Sequence, residues 1–512
     1  MFPGTFAALT PDKAAVVMSD SGAVLTYAEL DERSARLARA FRDAGLRTGD
    51  GVALLAENMV EFHVVYWAAM RSGLYFTPID HHLTTPEIAY IVGDSGAKAL
   101  VVSATFAEVA AELLDRTPRV AFRLAIGGPI HAHADVPAAI AAAAPEPLSD
   151  QPRGAELLYS SGTTGRPKGI TMPLPGEEVD RHRNQVRRLF GGRYGINADT
   201  VYLSPAPLYH TAPMRFTGMV HEVGGTVVVM PRFDAAAALD AIERYRVTHS
   251  QWVPTMFVRM LKLPDEKRLA RDLSSHRVAV HAAAPCAVEV KRKMIEWWGP
   301  ILDEYYSGSE GLGLTMIDSV TWARKPGSVG RAVLGVLHVC DDHGDELPPG
   351  QVGLVYFERN QFPFAYHNDP ERTQQARHPQ HENWGTTGDI GYVDEDGFLF
   401  LTDRTDFTII SGGVNIYPQE VEDALTLHPA VLDLAVFGLP DPDMGEQVVA
   451  VVQPAPGVIT GPELERELLT YLRERIAHYK VPRRIDFVDE LPRAATGKMR
   501  KHKLREKYAL AL

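Results

Sequence analysis

Between residues 50 and 400, short β-branched runs alternate with apolar or amphipathic segments of helical length, and this rhythm sets the fold more tightly than any single motif. "VALLAE" is followed by "NMVEFHVVYWAAMRSG" and then by "LYFTPID". Later, "GTVVVMP" leads into "DAAAALDAIERYRV" and on to "THSQWVP". Strands separated by helix-length segments predict βαβ crossovers, and so largely parallel sheets with helices on both faces. At 512 residues the chain exceeds one ordinary domain, so more than one doubly wound sheet is expected in a large, multi-layer N-terminal α/β body.

The pattern changes after "DEDGFLFLTDR". The acidic turn from Asp394 to Gly397 predicts a hairpin, and beyond Arg404 a Gly-Gly pair opens a compact mixed pattern. A boundary is therefore expected near Asp403 to Asp406, with a smaller C-terminal α+β domain over 407–512, a length able to fold alone.

Hydrophobic residues make up 45% of the chain and charged ones 23%, the balance of a globular protein, without repeats or low-complexity tracts. The two cysteines, Cys286 and Cys340, lie far apart and outside any CxxC, which argues against a disulfide framework or thiolate metal site and fits a reducing cytoplasm. Neither export nor a membrane span is expected, because "MFPGTFAALTPDK" lacks a basic region leading into an apolar one and no later run is long enough to cross a bilayer. A net charge of −13 opposes binding to nucleic acid, so an anionic ligand must be held locally. The basic tail containing Arg493, Lys498, Arg500, Lys501, Lys503, Arg505 and Lys507 reads first as a solvated helix face.

"YSSGTTGRPKGI" is half a phosphate-binding loop: Gly162 and Lys168 keep Walker spacing, but Pro167 replaces the second glycine and Gly169 the magnesium-binding hydroxyl. Backbone N–H groups of such a turn can converge on phosphate, with hydroxyls from Ser160, Ser161, Thr163 and Thr164 and the charge of Lys168. Pro167 opposes immediate helix entry, which predicts a flap between strands, including Gly165, that need not hold magnesium itself.

Other segments supply matching chemistry. In "YYSGSEGLG", Glu310 is a hard oxygen ligand suited to Mg²⁺, among small residues that let a nucleotide approach; it is no nucleophile elbow, because Ser307 stands where glycine is required. In "NWGTTGDIGYVDEDG", Asp389 precedes a predicted strand, a placement suited to bidentate bonding of ribose hydroxyls. Arg404 can reach the same ribose or a phosphate, Gly412 and Gly413 permit close backbone approach, and Lys498 in "LPRAATGKMRK" can bring one charge to a developing negative centre. No convincing Ser-His-Asp or HExxH pattern occurs, since "HENWG" lacks a second histidine.

In this order, "YSSGTTGRPKGI", "PLYHTAP", "YYSGSEG", "TGDIGYVDEDG", "DRTDFTIISGGVNIYPQEVE" and "PRAATGK" resemble the adenylate-forming enzyme superfamily of acyl-CoA synthetases, peptide-synthetase adenylation domains and luciferases. "SGGVNIYPQEVE" and "HYKVPR" are most similar to acyl-CoA synthetases acting on fatty or aryl carboxylic acids. The resemblance implies ATP, Mg²⁺ and coenzyme A: a small carboxylic acid attacks the α-phosphorus, pyrophosphate leaves, and the coenzyme A thiol then displaces AMP. It implies the β- and γ-phosphates at Ser160 to Lys168, Mg²⁺ at Glu310, Ser309 near the α-phosphate, Tyr306 against adenine, Asp389 and Arg404 on ribose, and Lys498 as the adenylation lysine. It places His210 near the acyl group, with Thr211, Met214, Trp252, Thr255 and Ala283 as pocket walls; the bulk of Trp252 favours a short, medium or aryl acid. A hinge over 404–406, pivoting at Asp406, would make the C-terminal domain mobile and exchange Lys498 for the Gly412-Gly413 face, which shapes the thiol channel.

The sequence departs from the pattern at Ser307, Ser309, "HAAAP" and "MPLPGEEVDRHRNQ", the first three with small side chains preserved and the last bearing on access to the tunnel. Alternative acceptors remain open: an amine, giving an amide synthetase, or a separate carrier-protein thiol, since the 14 residues after Lys498 are too few for a fused carrier. A catalytically idle nucleotide-binding protein is the reading from another class, and a homodimer is an open expectation.

Overall fold

The computed structural model describes residues 1–160, 167–404, 407–412, 414–493 and 499–509, excluding the side chains of Asp403 and Arg404. It is a mixed α/β protein with several sheets, divided into two compact units. The first comprises Met1–Gln251, Leu269–Ala279 and Pro363–Thr373; the second comprises Trp252–Arg268, Val280–Phe362 and Gln374–Leu512.

An eight-stranded sheet organises the first unit. Its order is Ala365–Tyr366, Lys168–Thr171, Ala155–Ser160, Tyr75–Pro78, Gly51–Leu55, Ala97–Ser103, Phe122–Ile126 and Ala134–Asp135. Pairing from Ala155–Ser160 to Ala134–Asp135 is parallel, as the βαβ rhythm predicts. The other two strands are antiparallel additions. Gly51–Leu55 is buried throughout, and the apolar helix Val60–Met70 that follows buries every residue from Phe62 onward. Such a segment is stable only with packing on all sides.

A further ladder in this unit runs Val24–Thr26, Ala14–Met18, Thr226–Val229, Val201–Ser204 and residues 249–251 of the strand His249–Trp252. Only its first pair is antiparallel. Buried charge links strand to helix here: Arg187 bonds Glu222, the Tyr66 hydroxyl at 3.0 Å and Glu156 at 3.2 Å. Burial alone would raise the Glu156 carboxyl, but Arg215, Arg187 and Arg153 hold it below its ordinary value.

In the second unit, Leu302–Tyr306, Leu314–Asp318 and Arg331–Leu334 form an antiparallel ladder. Another sheet runs Val336–Cys340, Gly353–Glu358, Asp389–Val393 and Leu399–Arg404, with Trp384–Gly385 beside Gly353–Glu358. The predicted acidic turn is present: Asp394 accepts the Asp396 and Phe398 amides, closing the hairpin between the last two strands. The C-terminal part is a separate sheet of Val414–Ile416, Ile409–Ser411, Gly445–Pro454 and Val431–Asp441, with Arg484–Phe487 parallel to Gly445–Pro454. Its core gathers Val436, Val448 and Val452 with Leu468 and Leu472 of helix Pro462–Arg473. Both cysteines are free thiols. Among the described residues, no helix is long and apolar enough to cross a membrane.

Candidate active site

The predicted flap is strung between antiparallel strands, Ala155–Ser160 and Lys168–Thr171, in the register Ser160↔Lys168 and Tyr159↔Gly169. Ser161, Gly162, Thr163, Thr164 and Gly165 lie outside the described residues. At the flap's base, the Lys168 ammonium donates to the Tyr366 hydroxyl at 3.0 Å and sits 4.6 Å from that ring's centroid. This contact holds the long lysine side chain by a hydrogen bond and a cation–π attraction. Glycine is needed at 169, where a Cβ would come within 2.9 Å of His367 Cβ. Among the described residues the buried Ser160 Oγ has no hydrogen-bond partner.

Residues from separate strands converge in the second unit. The Tyr306 hydroxyl and the Thr387 hydroxyl each donate to Asp389 Oδ2 at 2.6 Å. Tyr306 ends Leu302–Tyr306, while Asp389 opens Asp389–Val393, as the sequence suggested. Two donors on one oxygen hold the carboxylate in place at the start of its strand. The backbone of Arg404 pairs with Asp389 in the same hairpin.

Glu310 is buried, 6% exposed, beside a backbone with little bulk: a Cβ on Gly308 would meet Glu310 Oε2 at 2.8 Å and Thr387 Cγ2 at 3.4 Å. Ser307 Oγ donates to the Gly313 carbonyl at 2.7 Å and closes this loop. Among the described residues no group of three His, Cys, Asp or Glu side chains could hold a metal ion. One carboxylate fits a magnesium ion only if ligand phosphates and water complete its octahedron.

His210 immediately precedes helix Thr211–Glu222, and its side chain makes no capping hydrogen bond there. Burial depresses its pKa to about 4, against the raising effect of Asp80. The ring is therefore neutral at pH 7, and its buried Nε2 has no hydrogen-bond partner among the described residues. Around it, His82 Nδ1 lies 3.0 Å from Asp80 Oδ1 and 3.2 Å from the Tyr209 hydroxyl. Met214 is buried on the same helix. Trp252 and Thr255 belong to the other unit, where Trp252 is 1% exposed against Trp298 and Phe257. Ala283, also there, is exposed and adopts φ 76°.

Gly412 donates its amide to the Met444 carbonyl at 2.8 Å. Asp406, Gly413 and Lys498 fall outside the described residues. The segment carrying Lys498 is closed at its base by the Arg493–Met499 bridge and by Arg500 N–H donating to Pro492 O at 2.8 Å. Arg493 in turn donates to both Asp433 oxygens. Sequence reading did not single out Tyr366, Thr387, Asp80 or His82. "FAYHNDPERT" carries Tyr366, whose partner Lys168 lies 198 residues away, whereas Thr387 stands two residues before Asp389 in "TTGD", a local signal that could have found it.

The AMP-binding enzyme model matches residues 5–363, and the AMP-binding enzyme C-terminal domain model matches 420–498. This chain belongs to the AMP-binding enzyme family. The family chain is 34% identical over 501 residues to a feruloyl-CoA synthase of Amycolatopsis, covering 96% of each protein. It is similar in structure to an anthranilate CoA ligase in complex with anthranoyl-AMP, with a TM-score of 0.84, 27% identity and coverage of 99% and 96%. An amide bond synthetase from Marinactinospora thermotolerans shows a TM-score of 0.81 at 30% identity, with 99% of each chain covered.

Proposed function

We propose that this AMP-binding enzyme is an AMP-forming carboxylic acid:coenzyme A ligase acting on a fatty or aryl acid. The observation that carries the reading is Asp389, a carboxylate held at the start of its strand by the Tyr306 and Thr387 hydroxyls. That arrangement suits a ribose diol. The similarity to CoA ligases supports the acceptor.

In the first half-reaction a carboxylate oxygen attacks the α-phosphorus of ATP and pyrophosphate departs, leaving an acyl-adenylate. Lys168, with the flap from Ser160 through Ser161, Gly162, Thr163, Thr164 and Gly165, neutralises the β- and γ-phosphates. Asp389 and Arg404 hold ribose, Tyr306 lies against adenine, and Ser309 sits by the α-phosphate. Glu310 would hold Mg²⁺, which when bound supplies charge neutralisation for the phosphates. Lys498 bridges the carboxylate and α-phosphate oxygens. Positioning and charge neutralisation suffice for this chemistry without a protein nucleophile. The neutral His210 orients the acid by hydrogen bonding, while Thr211, Met214, Trp252, Thr255 and Ala283 shape the acyl pocket.

In the second half-reaction the coenzyme A thiol, losing its proton, attacks the acyl carbonyl and AMP leaves. The C-terminal domain, 407–512, turns about the hinge 404–406 at Asp406, withdrawing Lys498 and bringing Gly412 and Gly413 to the thiol channel. Pyrophosphate exchange across a panel of aryl, short, medium and long acids, followed by product identification with coenzyme A and with amines, tests the proposal. Acid-dependent exchange and a thioester product support it. Exchange with amide formation alone moves the chain to the amide synthetases, and no exchange with any acid refutes adenylation.

A further inference from the structure

Asp94 ends the helix Thr85–Asp94, where the negative pole of the helix makes an anionic side chain unfavourable unless donors are supplied. Here donors arrive from two distant segments. Tyr159 donates its hydroxyl to Asp94 Oδ2 at 2.5 Å, and Asn368 donates its Nδ2 to Oδ1 at 3.1 Å. The Asp94 carbonyl, an orphan at the helix end, takes His367 Nε2 at 3.0 Å and Asn368 Nδ2 at 3.2 Å. Since that carbonyl can only accept, His367 carries its proton on Nε2. Its Nδ1 is left to accept from the Thr171 hydroxyl at 3.2 Å.

The partners are not scattered. Tyr159 lies on the strand entering the flap and Thr171 on the strand leaving it. His367 also donates its amide to the Gly169 carbonyl at 2.8 Å and follows Tyr366, the partner of Lys168. Asn368 reaches Asp94 from a left-handed conformation, φ 56°, which a short polar side chain tolerates at modest cost. Both roots of the flap are therefore tied to one residue: Tyr159 of the entering strand bonds the Asp94 carboxylate, as Asn368 does, while His367, which holds the leaving strand through Thr171 and Gly169, bonds the Asp94 backbone carbonyl. Packing does not require a charge at this place, because Asp94, His367 and Asn368 line an open polar cleft of about 600 Å³ with Tyr90 and Arg119.

We propose that the Asp94 carboxylate, directly through Tyr159 and through Asn368 beside His367, is a positioning group that sets the flap roots and Lys168 for the triphosphate. This inference rests on the reading that the flap holds the β- and γ-phosphates. Those phosphates leave as pyrophosphate, so Asp94 matters to adenylation and is idle during thioester formation. AMP, which lacks both groups, binds equally well with or without it.

The test compares the parent with Asp94→Asn, Asp94→Ala and Tyr159→Phe. Three quantities are measured: pyrophosphate exchange as a function of ATP, thioester formation from presynthesised acyl-adenylate and coenzyme A, and melting-temperature shifts given by MgATP and by AMP. Losing one charge-assisted bond at the flap root should lower kcat/KM for ATP in exchange by about tenfold in Asp94→Ala and Tyr159→Phe, and less in Asp94→Asn. Thioester formation should stay within about twofold, and the MgATP shift should shrink while the AMP shift persists. An Asp94→Ala/Tyr159→Phe double variant should be no worse than the poorer of its two singles, because Tyr159 acts through Asp94. Equal losses in both half-reactions, or a folded Tyr159→Phe with parental exchange and an undiminished MgATP shift, would overturn the proposal. A parent that is not stabilised by MgATP would instead contradict the functional reading itself.

Discussion

Lys291 and Glu304 offer a direct test of how the strand bearing Tyr306 is held. Lys291, on helix Val288–Trp298, is fully buried and donates to Glu304 Oε2 at 2.6 Å. Glu304 lies two residues before Tyr306 on the same strand. Burial raises the Glu304 carboxyl and Lys291 opposes that rise; the neighbouring His281, with Nε2 at 3.7 Å from the same oxygen, is held well below its ordinary pKa by burial and by Lys291. Replacing Lys291 by Met removes the partner and strands the carboxylate. That loss should be about 3–5 kcal/mol, a fall in melting temperature of roughly 6–10 °C. Lys291→Met/Glu304→Leu should recover most of it, because an apolar pair of similar volume replaces a desolvated ion pair. The single variant's deficit should also shrink between pH 8 and pH 5.5, as Glu304 or His281 takes up the proton that cancels the stranded charge. Melting curves of the parent, both singles and the double at the two pH values give the coupling. A Lys291→Met protein as stable as the parent, or a double variant no better than the single, would refute the reasoning.

Asp389→Ala should raise KM for ATP by about one to two orders of magnitude, and Tyr306→Phe only by a few-fold, since Thr387 still holds Oδ2; steady-state kinetics in ATP checks the ranking. Lys498→Ala should slow adenylation by about a hundredfold or more while leaving thioester formation from presynthesised acyl-adenylate within about twofold. His221 is buried and pushed down to about 4, chiefly by burial, with Trp67 Nε1 donating to Nδ1 and Ala15 O accepting from Nε2. Below pH 6.5 the unfolded chain binds a proton that the folded one refuses, so stability should fall as pH drops from 6.5 towards 4, by up to roughly 3 kcal/mol from this group. The urea midpoint of His221→Gln should show a shallower decline over that range.

Local pattern was sufficient for the strands around "VALLAE", "LYFTPID" and "GTVVVMP", because burial on both faces demands the β-branched composition that marks them. The hairpin after Asp389 was equally plain, since Asp394 to Gly397 carries its own turn chemistry. Other features depend on pairings that no local window contains. Val16 pairs with Val227, and the strand Lys168–Thr171 acquires Ala365–Tyr366 from nearly 200 residues away. The same holds for the site: Glu310, Asp389 and Lys168 stood out by residue type within glycine-rich surroundings. Tyr159 looked like an ordinary strand aromatic, and Asp94 like an ordinary helix end, until the fold joined them.

The central claim is that a carboxylate oxygen of the acid becomes bonded to the α-phosphorus of ATP. Supplying the enzyme with ATP, coenzyme A and an acid labelled with ¹⁸O in its carboxylate, then analysing the nucleotide product by mass spectrometry, tests this most directly. The account predicts AMP bearing one labelled oxygen per thioester formed, with unlabelled pyrophosphate. Label appearing in inorganic phosphate together with ADP would contradict it.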